Sequence, residues 1–298
     1  MSYQERLLNF KNILNEDIDL SKYLSEDKIA RVATVKDFSI KLMDLISNKG
    51  EKGDALPWQS THGKFLFRPQ ELTIWSGFKG HGKSLVISQM FETLLTSEKK
   101  VFIISPEFPP HRVLHRMLLQ SIGLHNINHS NALDWLCAIE NNIWLYDQQS
   151  SLTMLDVIAL CRYAVEEHGV EHILIDSLMK CGIAPDDYGS QKKLVDHVQQ
   201  IAHRNPVHIH LVAHARKGRD DGAVAGLHDI KGASEIADMA ENIIIVWRNK
   251  QKEMGASGQI EAPDAIVKIE AQRNGDGWIG QVPLKFTKNN FSFQEWIA

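Results

Sequence analysis

Short apolar runs separated by longer amphipathic stretches set the pattern of this chain. Residues 72–75, 101–104, 143–146, 172–176, 209–213 and 242–247 are rich in β-branched and aromatic side chains, and they predict buried strands. Between them, apolar positions recur at helical spacing. That periodicity predicts helices over 85–95, 110–122, 131–140 and 153–168, a further one through Leu194, Val198 and Ile201 after a loop over 178–190, and a short one after Ser234. Such alternation predicts an α/β fold with a mostly parallel sheet and helices on both faces. Beyond residue 264 the pattern changes to consecutive strands at 265–271, 280–286 and 291–296, as expected of antiparallel hairpins extending one sheet edge.

The first 49 residues differ. Leu7, Phe10, Ile13 and Leu14, then Val35, Phe38, Leu42, Leu45 and Ile46, mark amphipathic helices too short to build a core of their own. They are expected to form a helical arm that lies on the main domain or on another copy of it. Residues 48–65 mix Gly, Pro and charge and read as a linker that wraps into the main domain. The organisation expected is therefore an arm over 1–49, a linker over 50–65 and a main domain over 66–298.

Composition narrows the class without choosing a function. The chain has 298 residues, 43% apolar and 23% charged, with a formal net charge of −4. That charge argues against coating nucleic acid through a bulk field, although a local basic lining is compatible with it. No apolar run approaches the roughly 20 residues of a membrane span, and charge near the start argues against a secretory peptide, so a cytoplasmic protein is expected. Cys137, Cys161 and Cys181 are odd in number and isolated, which predicts buried thiols rather than disulfides or a zinc site. His111 with His115, and His208 with His210, have the spacing of ligand pairs. Neither pair has a third ligand nearby, so they read as surface or core histidines.

The chemistry is concentrated after the first strand of the main domain. Gly77, Gly80, Gly82, Lys83 and Ser84 occupy every specified place of the G-x-x-x-x-G-K-[ST] phosphate loop. Glycines let backbone N–H groups converge on phosphate oxygens, Lys83 adds a point charge, and the Ser84 hydroxyl suits a magnesium ion. A nucleoside triphosphate site follows. Asp176 ends a later strand, where a carboxylate can hold magnesium directly or through water. Glu107 ends another strand tip; it also has the position of a helix-capping acid before Pro109. His214 ends a strand and precedes Arg216, Lys217, Gly218 and Arg219, with Lys231 and Gly232 beyond. This is a local basic cluster able to follow a phosphate backbone, or a solvated loop that Asp220 and Asp221 dilute.

The phosphate loop, SPE at 105–107, ILIDSL at 173–178, VAHARKG at 212–218, the stretch 231–250 and EAQRNGDG at 270–277 together resemble, in that order, the motor motifs of ring-shaped replicative helicases. That family includes the DnaB type, the phage primase-helicases and their mitochondrial relative Twinkle. The resemblance covers about residues 50–290. It implies a RecA-like ATPase assembled as a hexameric ring, with ATP and Mg2+ bound between neighbours and single-stranded DNA as the track. It further implies that Glu107 polarises the attacking water, that His214 senses the γ-phosphate, and that Arg273 reaches into the neighbouring subunit's site. Arg248 and Phe286 would pack on the adenine, and Arg216, Lys217, Arg219, Lys231 and Gly232 would serve DNA.

The expected function is an ATP-dependent DNA helicase translocating on single-stranded DNA, partnered by a primase or loader and without a membrane, in a cytoplasm that is its own or a virus's host. Two alternatives stand beside it: a non-unwinding DNA-binding ATPase acting as recombinase, loader or regulator, and a nucleotide-dependent scaffold with negligible turnover. This chain departs from the family at two places. Ala271 stands where members have a lysine, so one cation would be delivered in trans, and Asp238 replaces a glutamine and would repel phosphate unless it points elsewhere.

Overall fold

The computed structural model describes residues 33–47, 52–148, 152–184, 186–215, 224, 226, 229–230, 234–255, 259 and 261–297. The chain divides into two units, Met1–Glu51 and Lys52–Ala298. In the first, a 3-10 turn Val35–Phe38 leads into helix α1, Ser39–Ser47. Val35, Ile40 and Ile46 are exposed on it, while the earlier apolar run at Leu7, Phe10, Ile13 and Leu14 lies outside the described residues.

The second unit is built on one sheet. In chain order its elements are β1 (Leu72–Ser76), α2 (Lys83–Thr96), β2 (Val101–Ile104), α3 (Pro110–Ile122), α4 (His129–Ile139), β3 (Ile143–Tyr146), α5 (Met154–His168), β4 (His172–Ile175), α6 (Tyr188–Arg204) and β5 (His208–Val212). Then come α7 (Ser234–Met239), β6 (Asn242–Arg248), α8 (Lys250–Glu253), β7 (Ala265–Gln272), β8 (Gly280–Thr287) and β9 (Ser292–Glu295). The nine strands lie in the order β3-β2-β4-β5-β1-β6-β7-β8-β9. Pairing is parallel from β3 to β6 and antiparallel from β6 to β9. This is a RecA-like core with antiparallel strands on one edge.

The pleat explains why the parallel strands read as unbroken apolar runs. On β4, Ile173 and Ile175 enter one core cluster with α5, α6 and α7, and Leu174 enters the other with α2 and α3. The stretch expected to be a linker places Leu56, Trp58 and Phe65 in the second cluster, and Asp54 forms an antiparallel bridge to Phe67. At the β9 edge the Gln89 side chain donates to Phe293 O (2.9 Å) and accepts from Phe293 N (2.7 Å). One side chain thus occupies backbone groups that would otherwise template another strand. Cys161 and Cys181 are buried, but Cys137 is exposed, contrary to the expectation, because α4 lies on the surface and buries only Ile139.

Beneath the sheet's centre, the histidines read as core residues form a directed hydrogen-bond chain. Trp75 Nε1 can only donate, and it meets His210 Nδ1 at 3.1 Å; His210 Nε2 must then carry the proton and donate to His172 Nδ1 (3.1 Å). His172 Nε2 in turn donates to Asp54 Oδ2 (3.1 Å). His208 donates from Nδ1 to the Arg68 carbonyl (2.6 Å) and accepts at Nε2 from Thr73 Oγ1 (2.7 Å). With His208 and His210 neutral, each of these bonds has one donor and one acceptor.

Burial pushes His208 down to about 3, and it pushes His210 well below the ordinary histidine value. The unfolded chain takes protons on these rings below pH ~6.5 and the folded chain does not, so the stability they confer is present above that pH and is lost as pH falls from there towards 3. Asp176, pushed up by burial to about 6, works in the opposite direction with one proton. The net expectation is a loss of about 2–3 kcal/mol of unfolding free energy between pH 7 and pH 5. Denaturant titrations at the two pH values measure it, and a flat profile would contradict neutral locking of these rings.

Candidate functional site

Five parallel strands deliver their ends to one edge of the sheet, where ligands bind in open α/β folds. β1 leads into the phosphate loop, β2 into Glu107, β4 into Asp176, β5 into His214, and β6 ends at Arg248. Lys83, Ser84, Glu107, Asp176, His214 and Arg248 line a cleft of about 770 Å3 there.

The loop's geometry depends on two glycines. Gly77 has φ +142, and a Cβ on it would sit 2.2 Å from the Val246 carbonyl oxygen on β6, so no side chain fits between loop and strand. Gly82 holds the left-handed N-cap of α2 (φ 82, ψ 11), and the first turn of that helix, where N–H groups have no partner within the helix, lines the cleft through Lys83, Ser84 and Leu85. Gly80 also lines the cleft. The unspecified positions of the motif do structural work: His81 is buried, packs edge-on to Phe78, and accepts from the Arg248 backbone N–H through Nδ1 (3.2 Å), tying the loop to the end of β6.

Lys83 is buried and donates from Nζ to the carbonyls of Gly77 (2.7 Å) and Phe78 (3.1 Å). Burial lowers its pKa to about 8, against the attraction of Asp176 and Glu107, so it remains an ammonium at neutral pH. Asp176 is pushed up to about 6, first by burial and then by the Glu107 charge, while His214, Lys83 and Arg116 favour its ionised form. A buried carboxylate beside a serine hydroxyl is a hard-oxygen donor set that suits magnesium. The cleft's size and loop geometry suit a nucleotide.

Glu107 Oε1 accepts from Ser177 Oγ (3.0 Å) and lies 3.8 Å from His214 Nε2. The contact with His214, followed by the opposing effect of burial and then the Ser177 bond, leaves its pKa below the ordinary carboxylate value. It is half-buried and faces the cleft, held by side chains rather than by a helix end. The peptide bond between Asp176 and Ser177 is cis.

Three residues not anticipated from sequence complete the cleft's surroundings: His81, Ser177 and Arg116. Arg116 on α3 reaches the cleft, donates to the Ser84 carbonyl (3.2 Å) and stacks over the Phe108 ring (5.1 Å). Its signal was an arginine next to the buried stripe of Val113 and Met117.

Two residues assigned to the nucleotide by resemblance lie apart from the cleft lining. Phe286 on β8 packs on Phe293 (5.3 Å), whose ring is 3.9 Å from where a Cβ on Gly82 would sit. Arg273 follows β7 at the opposite edge of the sheet: its N–H bonds Glu241 O (2.9 Å), just before β6 begins, and its guanidinium bonds the carbonyl of Asp238. The Asp238 side chain is exposed, and Ala271 packs against the first core cluster. Arg216, Lys217, Arg219, Lys231 and Gly232 lie outside the described residues. Among those described, Ala215 bridges to Ile230, so the intervening segment leaves and returns beside His214.

Among solved structures, an isolated ATPase domain matches with a TM-score of 0.72 at 15% identity, covering 89% of this chain and 99% of that one. A DnaB-like replicative helicase, described with its interactions with primase, matches with a TM-score of 0.70 at 15% identity, covering 98% and 74%. A KaiC-like protein from the hyperthermophilic archaeon Pyrococcus horikoshii matches with a TM-score of 0.59 at 12% identity, covering 82% and 99%. In sequence, the Twinkle homolog protein, chloroplastic/mitochondrial, of Arabidopsis thaliana is 22% identical over 267 residues. That alignment takes in 82% of this chain and spans 37% of that relative's length. The DnaB-like helicase C terminal domain family matches residues 60–295, from the core-packed Trp58–Phe67 stretch through β9, and with the phosphate loop, Glu107 and Asp176 on one sheet edge the chain belongs to that family.

Proposed function

We propose that this chain is the motor of an ATP-dependent DNA helicase that moves on single-stranded DNA and hydrolyses ATP between neighbouring copies. The observation that carries this reading is the position of Arg273. It is exposed at the sheet edge opposite the chain's own phosphate loop, where its guanidinium rests on the Asp238 carbonyl and stays outside the lining of its own cleft. A head-to-tail ring brings one subunit's such edge to the next subunit's cleft, and a ring of six fits the family.

In this reading the loop amides and Lys83 bind the phosphates of ATP, and Ser84 and Asp176 hold Mg2+, which supplies positive charge to the phosphate oxygens. Glu107 takes a proton from the attacking water, and Arg273 of one copy stabilises charge in the next copy's site. Arg248 and Phe286 flank the adenine. His214 contacts Glu107 and adjoins the segment carrying Arg216, Lys217 and Arg219, so nucleotide state and DNA contact meet at one residue. The helicase solved with its primase interactions supports a primase as partner, and a loader is the other partner of this reading. Action on DNA in a cytoplasm belongs to the same reading; no helix among the described residues is long and apolar enough to cross a membrane.

The test is the ATPase rate with and without single-stranded DNA, together with strand displacement on a tailed fork. The helicase reading expects stimulation by at least about tenfold, and displacement that requires ATP. Stimulation without displacement would move the assignment to a recombinase, loader or regulator, and negligible turnover under all conditions would leave a nucleotide-dependent scaffold.

A further inference from the structure

Glu107 is the third residue of the turn 105–108 after β2, which the Phe108 N–H closes on the Ser105 carbonyl (3.3 Å), and the two side chains that contact its carboxylate lie outside that turn. What holds it comes from the neighbouring strand. Ser177 immediately follows Asp176 at the end of β4, is 1% exposed, and donates its hydroxyl to Glu107 Oε1 at 3.0 Å. Its backbone is fixed in turn: the Ser177 carbonyl accepts from Lys180 N (2.9 Å) in a 3-10 turn and from Cys181 Sγ (3.5 Å). Water does not compete for a hydroxyl so deeply buried.

The second contact to Glu107, from His214 Nε2 at 3.8 Å, falls on the same oxygen, Oε1. Both neighbours therefore occupy one side of the carboxylate, and Oε2 is the oxygen available for the proton of a water in the cleft. An alanine at 177 would leave the glutamate with the longer contact to a half-exposed histidine and free to rotate about its side-chain torsions.

We infer that Ser177 is a positioning residue for ATP hydrolysis: its hydroxyl fixes the Glu107 carboxylate so that one oxygen faces the attacking water, and it touches neither nucleotide nor metal itself. The inference rests on Glu107 as the general base and deepens that assignment. It also joins the two acidic strand tips, because the residue that orients the base is bonded to the proposed magnesium ligand. Misplacement of a general base by a fraction of an ångström is costly because proton transfer needs hydrogen-bond distance to the water in the reacting complex.

The experiment is a double-mutant cycle on the full chain with saturating single-stranded DNA. Ser177→Ala is expected to lower kcat about tenfold with KM for ATP within about twofold of the parent. In the Glu107→Gln background the same substitution is expected to change the residual rate by less than about twofold, because its target is already gone. A parental kcat in Ser177→Ala overturns the inference, and so does an undiminished tenfold loss in the Glu107→Gln background, which would mean that Ser177 acts through another group. Glu107→Gln turning over at the parental rate would instead remove the base assignment on which the inference stands. Equal thermal midpoints for Ser177→Ala and the parent separate positioning from a folding defect, and a midpoint drop accompanied by a matching rise in KM overturns the inference in favour of a structural role.

Discussion

Glu107→Gln is expected to abolish turnover while ATP remains bound, with kcat falling by about 10^2–10^4-fold. The amide is nearly the shape of the acid and keeps an oxygen to accept from Ser177 Oγ, so the turn after β2 should hold its place. What it loses is the ability to take a proton. In the proposed site the phosphates are gripped elsewhere, by the loop and by Lys83, which is buried and bonded to the loop carbonyls. Removing a negative charge from a cleft that also contains Asp176 makes the site more welcoming to a polyanion, so affinity for ATP should be retained or improved. Steady-state hydrolysis alongside binding of a fluorescent ATP analogue measures both quantities. Parental turnover would remove Glu107 from the chemistry; loss of binding as well would mean that the residue supports the fold of the cleft.

The parts legible in the sequence are those in which one physical cause dominates. Strands β1, β2, β4 and β6 are buried on both faces over nearly all their length, so burial dictates mostly apolar runs and the strand limits fall within one residue of where those runs stop. The phosphate loop was legible because close backbone approach admits only glycine at Gly77. The histidine chain was not: its members are far apart in sequence, and they meet only through the registers Leu174 to His210 and Thr73 to His210. Arg116 reads as one more polar residue of an amphipathic helix until α3 packs against α2 and turns it onto the Ser84 carbonyl. Ser177 lay inside a recognised motif, yet its bond to Glu107 crosses from one strand end to another. Cys137 misled because α4 is amphipathic in pattern but contributes little to the core. The four-residue α8 carries too little periodicity to register.

Arg273→Ala is expected to reduce ATP hydrolysis by about 10^3-fold or more, the scale of an arginine supplied to a phosphoryl transition state, and the defect should be repairable by a second defective chain. Within one copy Arg273 is anchored beside Asp238 and Glu241, at the start of β6, whereas the loop lies at the far end of β1 and next to the end of β6. If the guanidinium acts in trans, a subunit lacking it retains an intact cleft, and a Lys83→Ala subunit retains an intact arginine. In a head-to-tail ring mixed in equal parts, about one interface in four joins an intact Lys83 to an intact Arg273, so the mixture should recover up to about a quarter of the parental rate when neither variant alone hydrolyses ATP. An arginine acting within its own chain gives no recovery at any ratio. Position 271, two places before Arg273, is an alanine, and the cation that β7 does carry, Lys268, is held in an ion pair by Glu270, which makes the loss in the single variant deep and the complementation easy to read.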